Sequence, residues 1–301
     1  MIVGMMKLPF LNSSNPAIDV DGAVVVITGG ARGIGASTAE LFASRGAQVW
    51  IGDVDADVAA QTAARLGIRS AHLDVTSHSS WTRFVETVIG ESGRIDVLVN
   101  NAGVMPVGPF EDEPDATTDL MLDVNVRGLL LGMRSVLPLM RDAGVGHIVN
   151  VASLAGMIPL PGMVTYNASK FAALGASLAA RREYDGTGVT VSAILPSAVR
   201  TELASGAKLG GILPTVDPED VARAVVRSVR VRAPRTSVPG WIAPGWVLVD
   251  AFVPEFVERV ARRLAGERQA MALDAEERRA YLDRIDRQSR DHAADKSEAG
   301  A

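Results

Sequence analysis

Cysteine is missing from the chain altogether. That absence excludes disulfides, thiolate metal sites and a cysteine nucleophile, and it fits a reducing, cytoplasmic setting. No metal-binding cluster is read elsewhere. An excess of basic charge is lacking too: 30 Lys and Arg stand against 35 Asp and Glu, a formal net charge of −5. Nucleic acid is therefore not an expected partner, because neutralising a phosphate backbone needs a cationic face. No apolar run approaches the roughly 18 residues of a membrane span. The start, MIVGMMKLPFLNSSNP, has neither a basic beginning nor a long apolar core, so it does not read as a signal peptide. Residues 1–20 are expected to be a mobile leader. What is present is 48% hydrophobic residues in 301, enough for a sizeable core in one or two domains.

The first two-thirds alternates between strand and helix patterns. The β-branched run AVVVIT (23–28) reads as a buried strand, ASTAELFASRG (36–46) as a helix and QVWIGD (48–53) as a second strand. A helix over 58–67 ends at Gly67, and SAHLDV (70–75) is a third strand. After a helix at about 79–91 come IDVLVNNAG (95–103), a long helical segment over 117–141, and HIVNVAS (147–153). A helix over 166–185, VTVSAILP (189–196), a Pro-initiated helix over 218–229 and a short closing strand in RTSVPG (235–240) complete the pattern. Such alternation implies right-handed crossovers and a doubly wound α/β fold, a mostly parallel seven-stranded sheet of Rossmann type with helices on both faces. Residues 21–240 form this domain in the present reading.

Chemistry enters at the strand exits. TGGARGIG (28–35) lies between a strand and a helix, where glycines allow a tight turn and a close approach to a pyrophosphate. Gly29, Gly33 and Gly35 are the spaced ones, with Arg32 and Ile34 between and beside them. Asp53 ends the second strand and suits an adenosine ribose diol while repelling a 2′-phosphate. The competing reading, a loop aspartate capping the next helix, which Asp55 could also be, carries less weight than the ribose role. Arg32 offers a guanidinium for a phosphate, but Val54 adds no second base, so NAD is favoured over NADP. Further on, NNAG (100–103) leaves strand four, Ser153 ends strand five, and Tyr166 and Lys170 follow four apart on one helix face. A cation beside a phenol favours the phenolate and would lower its pKa, making it a general acid or base near neutrality.

TGGARGIG, LDV (73–75), NNAG, Asn125 in DVNVRG, Ser153, YNASK (166–170) and the segment Pro196–Thr201 occur together in one order. In this the chain resembles the short-chain dehydrogenase/reductase family, over about residues 20–240. The resemblance implies that Tyr166 exchanges a proton with the carbonyl or alcohol oxygen and that Ser153 hydrogen-bonds it. Lys170 would bind the nicotinamide ribose and tune Tyr166, and Asn125 would hold a relay water. Asp74 and Val75 would contact adenine, Asn101, Ala102 and Gly103 would line the adenosine side, and Val199 and Thr201 would fix the carboxamide. Two features depart from the family pattern. Ser197 follows Pro196 where a glycine is usual, and some 60 residues replace a short ending that packs in tetramers. A homodimer is therefore expected rather than the usual homotetramer.

By the same resemblance, the substrate pocket is expected from 154–165 and 200–216. Met157, Ile158, Leu160, Met163 and Val164 offer apolar surface, as do Leu203, Leu209, Ile212 and Leu213, with Gly206, Gly210 and Gly211 as hinges of a lid. Ser153, Met157, Ile158, Met163 and Leu203 are the substrate-binding candidates, and the expected substrate is a hydrophobic alcohol or ketone: steroid, retinoid, terpenoid or long-chain. Plain packing of these loops on the sheet is the competing reading. Trp246, Val249, Val253, Phe256, Val260 and Leu264 draw one helical stripe, interrupted at Pro254, in a helical extension over 241–273. It can pack on its own domain, make a dimer contact, or lie on a membrane surface, with Arg259, Arg262 and Arg263 opposed by Glu255 and Glu258. Residues 274–301, mostly charged and small, are expected to be a solvated, disordered tail. The leading functional reading is an NAD(H)-dependent alcohol oxidoreductase. An NADPH-dependent carbonyl or ketoacyl reductase is the enzymatic alternative, and an NAD-binding sensor or scaffold the non-enzymatic one.

Overall fold

The computed structural model describes residues 15–205, 214–253 and 275–299. The leader to residue 14, the lid positions Gly206, Lys208, Leu209, Gly210, Gly211, Ile212 and Leu213, and the stripe residues Pro254, Phe256, Val260 and Leu264 lie outside them, as do Glu255, Glu258, Arg259, Arg262 and Arg263.

Seven strands form one sheet: β1 (Val24–Thr28), β2 (Gln48–Asp53), β3 (Arg69–His72), β4 (Val97–Asn100), β5 (Gly146–Val151), β6 (Val189–Pro196) and, after a small parallel pair β7 (Ala198–Val199) and β8 (Thr215–Val216), β9 (Arg235–Val238). Their order is β3-β2-β1-β4-β5-β6-β9, and every neighbouring pair is parallel. This is the doubly wound Rossmann-type sheet that the alternation implies. The chain leaves β1 towards β2 on one side and reaches β4 on the other. A crevice therefore opens at the carboxyl ends of β1 and β4, where such sheets bind ligands.

Helices α1 (Gly33–Ala43), α2 (Ala56–Leu66) and α7 (Pro218–Val231) cover one face. Phe42, Ala59, Val221, Val225 and Val229 pack there on Val25, Ile27, Val99 and Ile194. The other face is covered by α3 (His78–Ser92), α5 (Leu129–Asp142) and α6 (Val164–Glu183), with Trp81, Phe84, Val136, Met140 and Leu174 in its core. The strands are buried on both sides, which is why they read as unbroken β-branched runs. Helix α7 starts sharply because Pro218 follows Asp217, whose carboxylate and that of Asp220 form a reciprocal cap.

The helix expected over 117–141 is interrupted. Helix α4 (Asp115–Leu122) passes into a π-helical turn, Asp123–Gly128, before α5 begins. Single π turns inside helices cluster at functional sites because they re-aim side chains. Here the turn sets buried Asn125 beneath the exit of β4.

A larger difference concerns the carboxyl end. Residues 275–299 form a helix, α9, instead of the disordered tail. Composition is a poor guide there because only a few side chains carry the docking. Arg278, Tyr281 and Ile285 step by three and four along one face and are buried, while most of their neighbours are charged and exposed. Helix α8 (Ile242–Phe252) buries Ile242 and Ala243 and ends two residues before Pro254.

Candidate active site

The glycine turn between β1 and α1 is shaped by close approaches. Gly29 and Gly33 have φ of +63° and +52°, the left-handed region that a side chain disfavours. A Cβ at Gly35 would stand 2.1 Å from the Gly29 carbonyl oxygen. No side chain caps α1, and its first turn carries no acidic residue. Its leading N–H groups are thus left for an anion, with the helix dipole behind them. Asn101 clamps the turn from β4, donating from Nδ2 to the Thr28 and Gly29 carbonyls, both at 3.0 Å. The Asn101 and Ala102 amides donate to the Thr28 hydroxyl.

Asp53, at the end of β2, accepts hydrogen bonds from the backbone N–H groups of Ala31 (3.0 Å) and Asp55 (3.1 Å). One backbone donor per oxygen leaves each with capacity for a hydroxyl. Asp55 caps α2 through Val58 N. It also pairs with Arg32 at 2.7 Å, and that guanidinium holds its carboxyl below the usual range. Arg32 further lies 4.0 Å from Glu202. Asp74 accepts from the Thr76 backbone and hydroxyl, both at 2.8 Å.

Tyr166 and Lys170 project from the first turns of α6, and Ser153 caps the short turn after β5. Burial pushes the Tyr166 phenol up to about 12, against the lowering effect of its hydrogen bond with Ser153. Lys170 places Nζ 5.7 Å from the Tyr166 ring centroid and donates to the Val151 carbonyl at 3.2 Å. Burial pulls its pKa down to about 8. Desolvation of the phenolate is thus the largest influence on Tyr166, and the hydrogen bond with Ser153 opposes it only in part. The Asn125 side chain is engaged inside the protein. Its Oδ1 accepts from Val104 N at 2.9 Å, and Nδ2 donates to the Val104 carbonyl at 2.9 Å and the Ser169 hydroxyl at 3.1 Å. It fixes the wall of the site, and a Cβ at Gly103 would meet both Asn125 Oδ1 (3.2 Å) and Lys170 Nζ (3.6 Å).

One cavity of about 1350 Å³ joins these groups. The glycine turn, Asp53, Asp74, Val75, Asn101, Ala102, Gly103, Ser153, Tyr166, Lys170, Val199 and Thr201 all line it. Gly35 lies behind the turn. Ile158, Met163 and Leu203 line it too, and Met157 packs, with Leu160, against the core cluster that holds Ile158. Trp246, Val249 and Val253, the described part of the apolar stripe, also face this cavity. Ser197, in place of the usual glycine, does not disturb the turn. Its hydroxyl donates to the Pro214 carbonyl at 2.6 Å and ties the residue before β7 to the residue before β8. Sequence reasoning missed Tyr281, Arg284 and Ile285, which reach the cavity from α9. Their i, i+3, i+4 spacing was the available signal.

The model of the short chain dehydrogenase family matches residues 23–209. The chain belongs to the short-chain dehydrogenase family. Among its relatives, 3-alpha-(or 20-beta)-hydroxysteroid dehydrogenase of Mycobacterium bovis is 38% identical over 60% of this chain and 71% of that one. D-threitol dehydrogenase of Mycolicibacterium smegmatis is 38% identical over 69% and 85%. The structure of a 3-ketoacyl-(acyl-carrier-protein) reductase from Brucella melitensis, complexed with NADH, superimposes with a TM-score of 0.68 at 27% identity, covering 73% of this chain and 97% of that one. As a short-chain dehydrogenase the protein is an oxidoreductase of alcohols and ketones that uses a nicotinamide cofactor, and the uncapped helix, glycine turn and carboxylate of its crevice fit such a dinucleotide.

Proposed function

We propose that the protein transfers a hydride between NAD(H) and a hydrophobic alcohol or its ketone, with Tyr166 as general acid and base. The observation that carries this reading is the meeting of Ser153, Tyr166 and Lys170 in one cavity with the glycine turn. Bound nicotinamide supplies or accepts the hydride. Ser153 and Tyr166 hold the substrate oxygen, and Tyr166 gives or takes its proton. Lys170 holds a positive charge beside the phenol and would bind the nicotinamide ribose. Asn125 keeps the loop at Val104 in register with α6 and so positions that charge. Asp74 and Val75 would meet adenine, Asn101, Ala102 and Gly103 the adenosine side, and Val199 and Thr201 the carboxamide.

The choice of NAD rests on the two aspartates around Arg32. Asp53 lines the crevice with a carboxylate that would repel a 2′-phosphate, and Arg32 is already paired with Asp55. Arg32 is also the one feature favouring the second reading, an NADPH-dependent carbonyl or ketoacyl reductase. The hydrophobic substrate class rests on the apolar wall that Ile158, Leu160, Met163, Leu203, Trp246 and Val249 contribute to the cavity. The relatives' names span a steroid alcohol and a sugar alcohol, so they do not rank the classes. A homodimer belongs to the same proposal, because residues beyond 240 replace the ending on which the tetramer is built; sedimentation velocity tests it. No helix among the described residues is long and apolar enough to cross a membrane, and a cytoplasmic setting completes the proposal.

Thermal shift with NAD(H) and NADP(H) at matched concentrations tests the cofactor. A larger rise with NAD(H), lost in Asp53→Ala, is expected. A larger rise with NADP(H) in the wild type overturns the NAD assignment.

A further inference from the structure

Helix α9 enters the wall of the active site. Tyr281 and Ile285 join Val104, Met105, Leu120, Ala155, Ala204 and Tyr166 itself in one apolar cluster. Arg278, fully buried, donates to three backbone carbonyls: Met105 at 2.6 Å, Ser205 at 2.8 Å and Leu203 at 3.3 Å. It thereby ties the loop after β4 to the substrate-side turn at 202–204. Its guanidinium also stacks 4.8 Å from the Tyr281 ring centroid, and Arg284 lies 5.4 Å away on the same ring. Arg284 in turn pairs with Glu202 at 2.8 Å. The Tyr281 ring is therefore held by cations, by the loop and by the cluster.

Its hydroxyl is what matters chemically. The oxygen accepts from Met105 N–H at 2.7 Å, and its proton has no acceptor among the described residues. Tyr281 lines the cavity and is close enough to Tyr166 to raise that phenol electrostatically. A buried hydroxyl beside a cavity needs an acceptor for its proton, and a ligand that lacks one leaves it unsatisfied.

We propose that Tyr281 is a specificity-determining residue that donates a hydrogen bond to a second oxygen of the substrate, selecting apolar alcohols and ketones that carry another hydroxyl or carbonyl. Arg278 acts through it as a positioning residue. This rests on the dehydrogenase reading above and narrows its substrate class.

The test compares cyclohexanol with 1,2-, 1,3- and 1,4-cyclohexanediol as substrates of the full chain with NAD and with NADP. Wild type is expected to favour at least one diol by about tenfold or more in kcat/KM. Tyr281→Phe should erase that preference, read as the ratio of diol to cyclohexanol kcat/KM within each protein, with the thermal shift on NAD(H) as the control for an intact fold. A diol preference retained in Tyr281→Phe, or absent from a wild type that oxidises cyclohexanol, overturns the proposal. If wild type oxidises none of the four, the dehydrogenase reading fails for this class, and hydrogen exchange at the Met105 amide decides the Tyr281 claim separately. Exchange there should slow with NADH and a diol in wild type but not in Tyr281→Phe; equal rates in the two proteins would sink it.

Discussion

At Tyr166, burial and the hydrogen bond with Ser153 pull in opposite directions, and burial is the larger. The phenol sits at about 12 and the Lys170 ammonium at about 8, both displaced by loss of water. The chain's own groups therefore keep Tyr166 protonated at neutral pH, which suits proton donation to a carbonyl. Ketone reduction is expected to be fastest at neutral pH or below, and alcohol oxidation to climb into the alkaline range; pH–rate profiles in both directions check it. Lys170 also leaves a mark on stability. Between about 8 and its ordinary 10.5, the unfolded chain holds a proton that the folded one has released, so stability rises with pH across that window. Lys170→Met should exceed the wild type in urea midpoint at pH 7, by a margin that shrinks as pH rises past 8. The identities of Ser153, Tyr166 and Lys170 were legible because spacing along one helix and one strand end places them. Their protonation was not, because desolvation depends on what the rest of the chain stacks around them.

Among the elements, the β5–β6–α7 seam and the loop after β6 carry separate predictions. His147 is wholly buried between Thr190 (2.8 Å) and Ser228 (3.2 Å), and burial drops its pKa to about 3. The unfolded chain protonates first as pH falls below 6.5, so stability is lost from there towards 3. His147→Asn should flatten this acid limb of the urea-midpoint profile. Ser197→Gly removes the bond to Pro214 and should cost about 1 kcal/mol of stability. A raised KM for the substrate is also expected, read in steady-state kinetics, because Val199, Thr201 and Leu203 of the cavity wall follow directly on this tie. Strands and flanking helices were legible from period and β-branching, since a parallel sheet covered on both faces leaves little choice. The π turn and α9 were not. A π turn leaves no composition signature, and α9 docks through Arg278, Tyr281 and Ile285 within an otherwise charged stretch.

On the scale of the whole molecule, the sheet brings the ends of β1, β2, β4 and β5 to one edge, and the cavity runs along that edge from Asp53 to α9. Residues far apart in the chain, from Gly29 to Tyr281, thus face one space. This convergence is the basis of the proposed hydride-transfer site. The most direct test is Tyr166→Phe, assayed beside the wild type for NADH formation from a broad panel of alcohols, with NAD affinity measured on both. The account predicts NADH formation by the wild type, a fall in kcat of about 10²–10⁴ in the variant, and equal NAD binding. A variant that turns over at the wild-type rate, or a wild type that binds NAD yet oxidises no alcohol, would contradict it.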